Sequence, residues 1–436
     1  MLKRNPYRSV QISDVDIMKL SETVKEKSIV FSIDVAKSDM CAVFMDRSKE
    51  VLLTIKWEHP RETRDVLNLL DSLPYSHIEA AMEPSGTYGD ALRYQLNTMG
   101  IQVFSVSTHR SHLHNEVYDG VPSSHDAKSA AVIGDLHIDG RSSLYEEESA
   151  EVKDIRAAIN ILEMYRDMES RLVNNLESLL SRYWPELPTL LSKTSSSLLH
   201  LLESFGGPEG VASNEHKASE LLCRVSRHQL SSATIANIIE SAHSTLGVPM
   251  KGNEARQVQE VCKMLIEIRK KIKTSQKRVE QFSNENANIG HMSNAVGKVT
   301  SAVIYSFVGP PEKYSNSGSF VKAMGLNLKE RSSGKHKGQL KITKRGHSIV
   351  RRYLYLAVLR LIQEDICFHR WYMRKVRRDG GRKKRAIVAL MRKLAKALWH
   401  VGRGMPFEPI LLFDYHRLKL SESQVLSDDF FQPCFC

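Results

Sequence analysis

Between residues 28 and 106, short apolar runs alternate with stretches in which apolar positions recur at helical spacing. The apolar runs predict strands at residues 30–35, 40–45, 51–57, 78–83 and 101–106. The helical spacing predicts helices at residues 61–73 and 88–99, the second of which ends at Gly100. Three strands in hairpin order followed by alternating helix and strand predict an α/β domain. The polar residues 1–27 are expected to be loosely held.

Two long stretches in the middle of the chain have narrow apolar stripes. Residues 150–186 carry apolar side chains three or four apart, and residues 258–282 follow heptad positions a and d, broken only at Ser275. Such stripes predict coiled-coil helices, paired either with each other or with a second subunit. The alternative is that both helices pack on a domain core. Residues 187–250 are predicted to be helical in parts and indicate no function.

A further unit is predicted from about Ala295. Residues 295–300, followed by residues 319–324, resemble a helix-hairpin-helix whose glycine turn presents backbone N–H groups to phosphate. A polar loop at residues 329–335, which we call the serine loop, precedes a predicted helix at residues 349–362. The predicted division is an N-terminal extension (1–27), an acidic domain (28–145), a coiled-coil region with a helical insertion (146–290), a basic domain (291–405) and a tail (406–436).

Charge is divided unevenly along the 436 residues, which carry a net charge of +12. Residues 26–145 hold 11 Lys/Arg against 17 Asp/Glu, whereas residues 291–404 hold 26 against 5. This division favours a metal site in the first segment and a polyanionic partner for the second. Six scattered cysteines and the lack of a membrane-length apolar run favour a soluble protein of a reducing, intracellular compartment.

Three acids stand at predicted element ends. Asp34 closes the first strand, Glu83 closes the fourth, and Asp126 opens a helix-like stretch. Acids that converge from separate elements can bind Mg²⁺ for phosphodiester chemistry, although each alone is more often an ordinary surface acid. One turn after Asp126, where a fourth carboxylate would share the helix face, stands Ser129. Its hydroxyl can occupy a Mg²⁺ coordination position as a neutral ligand.

The serine loop and the basic segment after it are the second candidate site. Ser332 and Ser333 are candidate nucleophiles, because flanking cations can clamp a phosphate and stabilise charge that develops on it. The alternative is a polar loop that only binds the nucleic-acid backbone. The density of basic residues further on favours phosphate contacts over a merely solvated face. The candidate nucleic-acid-binding residues are Arg331, Lys335, Lys337, Lys341, Lys344, Arg345, Arg351, Arg352, Arg374, Lys375, Arg377, Arg378, Arg382, Lys383, Lys384, Arg385, Arg392 and Lys393.

The strand and helix order resembles an RNase H-like (RuvC-like) domain, and the motifs resemble those of the DEDD transposases of insertion sequences. This family includes the Piv/MooV-type invertases and the recombinases guided by a non-coding bridge RNA. The resemblance is carried by residues 32–37 (SIDVAK), 81–88 (AMEPSGTY), 123–130 (SSHDAKSA), 139–141 (DGR), 184–186 (WPE), 331–335 (RSSGK), 342–346 (ITKRG), 352–354 (RYL) and 386–394 (AIVALMRKL). It departs from the family at Ser129, in place of the fourth acid, and at Asn294-Ala295, in place of Pro-Gly.

The resemblance implies a multi-domain α/β plus α protein that binds Mg²⁺ through Asp34, Glu83, Asp126 and Ser129. It implies Ser333 as the nucleophile, with Ser332 as the second choice, and double-stranded DNA and a structured guide RNA as partners. It also implies a homo-oligomer, a dimer or tetramer assembled through the coiled coil, in a prokaryotic cytoplasm at the nucleoid. We therefore expect a DNA recombinase. The alternatives are a catalytically weakened relative that only binds nucleic acid, and a RuvC-type nuclease that uses water.

Overall fold

The computed structural model describes residues 8–84, 86–330, 338, 340–414 and 418. The chain divides into two compact units, Met1–Glu147 and Glu148–Cys436. Each unit is described by itself below, and the finer division into five segments stays a prediction.

The first unit is a mixed α/β domain around a seven-stranded sheet. Its strands are β1 (Val10–Gln11), β2 (Ser28–Asp34), β3 (Asp39–Asp46), β4 (Val51–Glu58), β5 (His77–Met82), β6 (Gln102–Val106) and β7 (Ser142–Leu144). Its helices are α1 (Ile17–Val24), α2 (Thr63–Ser72), α3 (Asp90–Thr98), α4 (Thr108–Asp119) and α5 (Asp126–Ile138). The predicted strands and helices between residues 28 and 106 are confirmed in type and order.

The sheet runs in the order β1-β4-β3-β2-β5-β6-β7. The pairs β2–β3 and β3–β4 are antiparallel, whereas β2–β5 and β5–β6 are parallel. A hairpin meander followed by two parallel strands on its other side is consistent with the predicted RNase H-like domain. Because β2 and β5 are parallel neighbours, their carboxyl ends lie at the same edge of the sheet.

Helices cover both faces of this sheet, so its central strands are continuous apolar runs. Ile29, Phe31 and Ile33 pack with α1, α2 and α3, while Val30 packs with α5 on the other face. Helix α5 lies close to β2 because of Gly134, where an added Cβ would be 2.8 Å from the Ser32 Oγ. A side chain at this position would push α5 away from the sheet.

The expectation that residues 1–27 are loosely held is wrong for residues 8–27. Strand β1 pairs in parallel with β4, and α1 buries Leu20 and Val24 in the core. A two-residue strand leaves no recognisable alternation in the sequence, since its pairing partner is more than forty residues away.

The second unit begins with two long helices that pack on each other, α6 (Ala150–Tyr183) and α12 (Gly252–Glu285). They are antiparallel, since the Arg278 guanidinium lies 3.2 Å from Asp154 and the Tyr183 hydroxyl donates to Glu254 at 2.7 Å. The two helices therefore pack on each other, and both also contribute to cores shared with neighbouring helices, as in the alternative interpretation. A coiled coil stays a prediction.

The helical insertion expected between residues 187 and 250 contains five short helices. These are α7 (Leu187–Leu190), α8 (Ser196–Phe205), α9 (Pro208–Ala212), α10 (Glu215–Val225) and α11 (Ser232–His243). They share one core with the C-terminal half of α6 and the N-terminal half of α12, centred on Trp184.

The remaining helices form a second core with the opposite halves of α6 and α12. They are α13 (Ala287–Val296), α14 (Lys298–Val308), α15 (Ser317–Ala323), α16 (Ser348–Glu364), α17 (Ile366–Arg378) and α18 (Lys383–Val401). Gly297 joins α13 directly to α14. This turn coincides with the predicted hairpin, while helix-hairpin-helix binding of phosphate stays a prediction.

Strands β8 (Leu328–Lys329) and β9 (Lys341–Ile342) pair as a short antiparallel hairpin, and the serine loop lies between them in the sequence. Below this hairpin the two chain segments touch at Gly325 and Gly346. The Lys344 N–H donates to the Gly325 carbonyl at 3.0 Å, and the Thr343 N–H donates to the Asn327 carbonyl at 2.9 Å. The base of the hairpin is therefore fixed by backbone contacts.

Within the described residues, none of the helices is both long and apolar enough to cross a lipid bilayer.

We expect Gly325→Ala to destabilise the second unit more than Gly380→Ala does. Both glycines have a left-handed backbone, with φ of +70° and +66°, but a Cβ on Gly325 would be 2.6 Å from the Arg345 carbonyl oxygen, whereas Gly380 has open space. Gly380→Ala should cost about 1–2 kcal/mol, and Gly325→Ala at least about 2 kcal/mol more. Urea unfolding measures both, and equal losses would contradict the close backbone contact.

Candidate active site and nucleic-acid interface

Asp34, Glu83 and Asp126 lie at one edge of the sheet, and we call them the acid edge. Asp34 is the last residue of β2, and Glu83 directly follows β5, its parallel neighbour. Asp126 is the first residue of α5, the helix that packs on β2. The element ends are where the sequence predicted them, while the convergence of the three acids into one metal site stays a prediction.

Electrostatics show that Asp34 is affected by its burial and by the charges of the other two acids. Burial, together with the charges of Asp126 and Glu83, raises the pKa of Asp34 from its ordinary value of 3.8 to about 6. Like charges held together at a half-buried position disfavour ionisation unless a cation compensates them. A group of three carboxylates is the hard-oxygen donor set that Mg²⁺ prefers. As placed, no three His, Cys, Asp or Glu side chains in the described part of the chain are close enough to hold a metal ion.

Cys41 is the cross-strand partner of Asp34 on β3. Burial and the charges of Asp126 and Asp34 raise the pKa of its thiol to about 12. The group is therefore a neutral thiol at physiological pH and not a thiolate ligand. The acid edge presents oxygen donors beside an uncharged neighbour.

Ser129 occupies the position where the family has its fourth acid. Ser129 is half-buried one turn after Asp126 on α5. Asp135, further along this helix, is engaged elsewhere, because the Lys49 ammonium and the His114 Nε2 each lie 2.8 Å from its carboxylate. Asp135 therefore does not replace the missing acid, and His114 has an acid partner that its sequence spacing did not indicate.

Two side chains whose roles the sequence did not indicate support the acid edge. Ser111 on α4 donates its hydroxyl to the Glu83 carboxylate. Lys128 is completely buried, and its ammonium donates to the Asp119 carboxylate at 2.7 Å and to the carbonyls of Val121 and Ser123 at 2.7 and 3.0 Å. These three bonds use every donor of the ammonium and fix the segment that leads into Asp126.

The serine loop itself falls partly outside the described residues. Arg331, Ser332, Ser333 and Lys335 of this loop, and Lys337 just after it, lie outside the described residues, and their roles stay predictions. The structure shows the flanking hairpin, with Lys341 on β9 and Lys344 and Arg345 just after that strand.

Two of the predicted phosphate-binding arginines have structural partners. Arg351 donates to the carbonyls of Met324 and Gly346, and burial lowers the pKa of its guanidinium. Arg352 forms an ion pair with Glu163 on α6. Both residues therefore help to hold the unit together, whatever they contribute to nucleic-acid binding.

Helices α17 and α18 carry the densest group of cations, and we call them the basic hairpin. Between residues 370 and 403 there are 13 basic side chains and one acid, Asp379. The Asp379 carboxylate lies 2.8 Å from the Lys375 ammonium and 3.6 Å from both Arg378 and Arg385. One acid thus ties both helices together and leaves a large excess of positive charge. The remaining predicted cations here are Arg374, Arg377, Arg382, Lys383, Lys384, Arg392 and Lys393.

An α/β domain with an acid edge and a helical unit with a basic surface are the parts expected of an enzyme that acts on nucleic acid. Matches to two protein families identify the class of enzyme. Residues 31–185 match the transposases of the DEDD IS110 type, and residues 292–372 match the transposase IS116/IS110/IS902 family. Together the two segments cover more than half of the chain. The protein belongs to the IS110 family of DEDD transposases.

No curated protein matches the chain with significant similarity.

We expect Asp34→Asn to stabilise the protein at about pH 7 in the presence of a chelator. An acid whose pKa is raised by folding costs stability as pH rises through its folded pKa, here between about 4 and about 6. The stability difference between the variant and wild type should therefore disappear near pH 3, where Asp34 is protonated in both the folded and the unfolded wild-type protein. Thermal unfolding of variant and wild type from about pH 3 to pH 7 measures this difference. Glu22→Gln, at an exposed acid on α1, is the control, and an equal gain there would contradict the specific repulsion.

We expect Lys128→Met to destabilise the protein by about 2–4 kcal/mol, because it leaves the Asp119 carboxylate and two carbonyls without their donor. Lys56→Met, at an exposed lysine on β4, should change stability by less than about 0.5 kcal/mol. Urea unfolding compares the two. Similar values would show that the Lys128 bonds contribute nothing.

Proposed function

We propose that this transposase is a DNA recombinase of an insertion sequence, guided by a structured non-coding RNA. The observation that carries the proposal is the acid edge, where burial and then the charges of Asp126 and Glu83 raise the pKa of Asp34. A buried acid with neighbouring like charges is typical of carboxylates arranged for a divalent cation. Asp34, Glu83, Asp126 and the neutral Ser129 would hold Mg²⁺ there.

Bound Mg²⁺ would supply Lewis-acid polarisation of a phosphate oxygen. The protein's own groups prepare this position. Ser111 orients Glu83, and Lys128 fixes the segment before Asp126. As placed, the carboxylates are not close enough to hold an ion, so a bound cation would draw them together from positions that these contacts support.

Ser333 is the proposed nucleophile, with Ser332 as the second choice. Its hydroxyl oxygen would form a bond to phosphorus while the bond from phosphorus to the leaving sugar oxygen breaks. The hydroxyl proton would pass overall to that leaving oxygen. The cations around the serine loop would stabilise the charge on the phosphate, and the backbone-fixed hairpin base would hold the loop in position.

The partners follow from charge and from exposed apolar surface. The basic hairpin suits the backbones of double-stranded DNA and of a guide RNA. On α6, Ile161, Met164 and Met168 are 46%, 49% and 45% exposed, although α12 already packs on this helix. This stripe supports assembly of a dimer or tetramer through the long helices. The proposed place of action is a prokaryotic nucleoid.

A second candidate is supported by Ser129. A hydroxyl contributes less than a carboxylate to cation binding, so the protein would bind nucleic acid without cutting it. In that case Asp34→Asn and Glu83→Gln would leave salt-sensitive nucleic-acid binding unchanged.

We expect wild-type protein, incubated with Mg²⁺, a DNA junction and the RNA transcribed beside its gene, to form a covalent protein–DNA adduct. Ser333→Ala should abolish the adduct, because the attacking oxygen is gone, while the neighbouring Ser332→Ala should retain it. Denaturing gel electrophoresis of labelled DNA measures both. An adduct that survives in Ser333→Ala excludes this nucleophile, and cleavage without any adduct would favour attack by water.

Ser129→Asp decides between the two candidate functions. Adduct formation by wild type supports the recombinase, and adduct formation only after this substitution supports a protein weakened at one ligand. Ser129→Asn, of similar size but neutral, is the matched control and should restore nothing. Binding without an adduct in every variant would support the non-catalytic candidate.

A further inference from the structure

Trp371 is an aromatic side chain in the middle of the basic hairpin. It lies on α17 between two adjoining concave surfaces. One is a pocket of about 200 Å³ that continues to Phe413, and the other is a groove that continues over Arg392 and Lys396. Both surfaces share Lys375, Arg378 and Lys393 with Trp371. An aromatic side chain is therefore flanked by cations on two sides.

The aromatic walls of the pocket are held by packing. The centroids of Trp371 and Phe413 are 6.0 Å apart, and Phe413 packs edge-on against the buried Phe368 at 5.1 Å. Phe413 is 7% exposed, whereas Trp371 is only partly buried. Phe413 is thus fixed in the core, and the partly exposed ring of Trp371 can receive a flat ligand.

Lys393 links the pocket to the groove. Its ammonium lies 5.4 Å from the Phe413 ring and 5.8 Å from the Trp371 ring, and it donates to the Leu412 carbonyl at 3.0 Å. Burial and the charge of Lys396 lower the pKa of this ammonium. An anion beside it would relieve that repulsion, so a phosphate in the groove is favoured.

Cations that follow a backbone, interrupted by an aromatic face, are the composition of sites for unpaired nucleic acid. A base within a duplex keeps both faces stacked on its neighbours and cannot enter such a pocket, whereas an unpaired base can. An acidic peptide would use the cations but would have no use for the flat Trp371 wall. The combination therefore favours a nucleotide over a peptide.

We propose that the pocket lined by Trp371 and Phe413 binds one unpaired nucleobase, which stacks on Trp371. The adjacent phosphates would lie on Arg378, Lys393 and Lys396. The inference rests on the proposed nucleic-acid function and adds base stacking to it. Arg378, Lys393, Lys396 and Phe413 lie beyond residue 372, where the second family match ends. The unpaired base can belong to the guide RNA or to a DNA strand opened during exchange.

The test compares binding of one labelled mixed-sequence oligonucleotide in three forms: single-stranded RNA, single-stranded DNA and duplex DNA. Trp371→Ala should weaken binding of a single-stranded form about 5- to 100-fold, the range of one lost base stack, and leave duplex binding within about twofold. Trp371→Phe keeps an aromatic face and should retain most of the affinity. It also controls for folding. The single-stranded form that loses more affinity identifies RNA or DNA as the source of the base.

Salt dependence separates stacking from charge. Trp371→Ala should leave the slope of affinity against salt unchanged, because stacking releases no counterions. Lys384→Gln, at an exposed cation outside both concave surfaces, should weaken all three forms alike and reduce the slope by about one. A 2-aminopurine in the single-stranded probe should be quenched by wild type and not by Trp371→Ala.

Equal effects of Trp371→Ala on single-stranded and duplex binding, or no effect on either, would overturn the stacking site while the proposed function stands. Absence of binding of any form by wild type would instead refute the proposed function. Competition by poly-glutamate that depends on Trp371 would show an acidic peptide to be the ligand and overturn the inference.

Discussion

The acid edge depends on how closely α5 lies on the sheet. Gly134 lets the helix approach β2 at Ser32, and the burial of Val30, Val43 and Ile133 stabilises that approach. The first residue of α5 is thereby placed beside the carboxyl ends of β2 and β5. Three like charges can be held together there because the apolar packing behind them outweighs their repulsion, each buried aliphatic side chain contributing about 1.5–3 kcal/mol.

The two units use charge in opposite ways. In the first, acids are concentrated at one edge, where Ser111 donates to Glu83 and the buried Lys128 fixes the segment before Asp126. In the second, cations are spread over two helices, and one carboxylate, Asp379, bridges several of them. Concentrated acids suit a small divalent cation, and dispersed cations suit an extended polyanion.

Sequence reasoning succeeded where the signal is local. Apolar runs identified β2 to β6, and they placed Asp34 and Glu83 at strand ends. It failed where the cause is tertiary. Lys128 looks like a surface lysine until the preceding segment folds over it, and β1 is defined only by its pairing with the distant β4. The stripe of α6 was right in period, yet Met168 remains exposed because α12 covers only part of that helix face.

The contact between Gly325 and Gly346 also has a consequence for variation among related chains. Loop-closure entropy grows only slowly with length, by about 0.6 kcal/mol for each doubling. Since backbone bonds already bring the two ends together at this contact, residues inserted or deleted between them would change the stability of the surrounding helices little. The segment that carries the candidate nucleophile is therefore free to diverge in length and composition, so that new specificities can arise without a new scaffold.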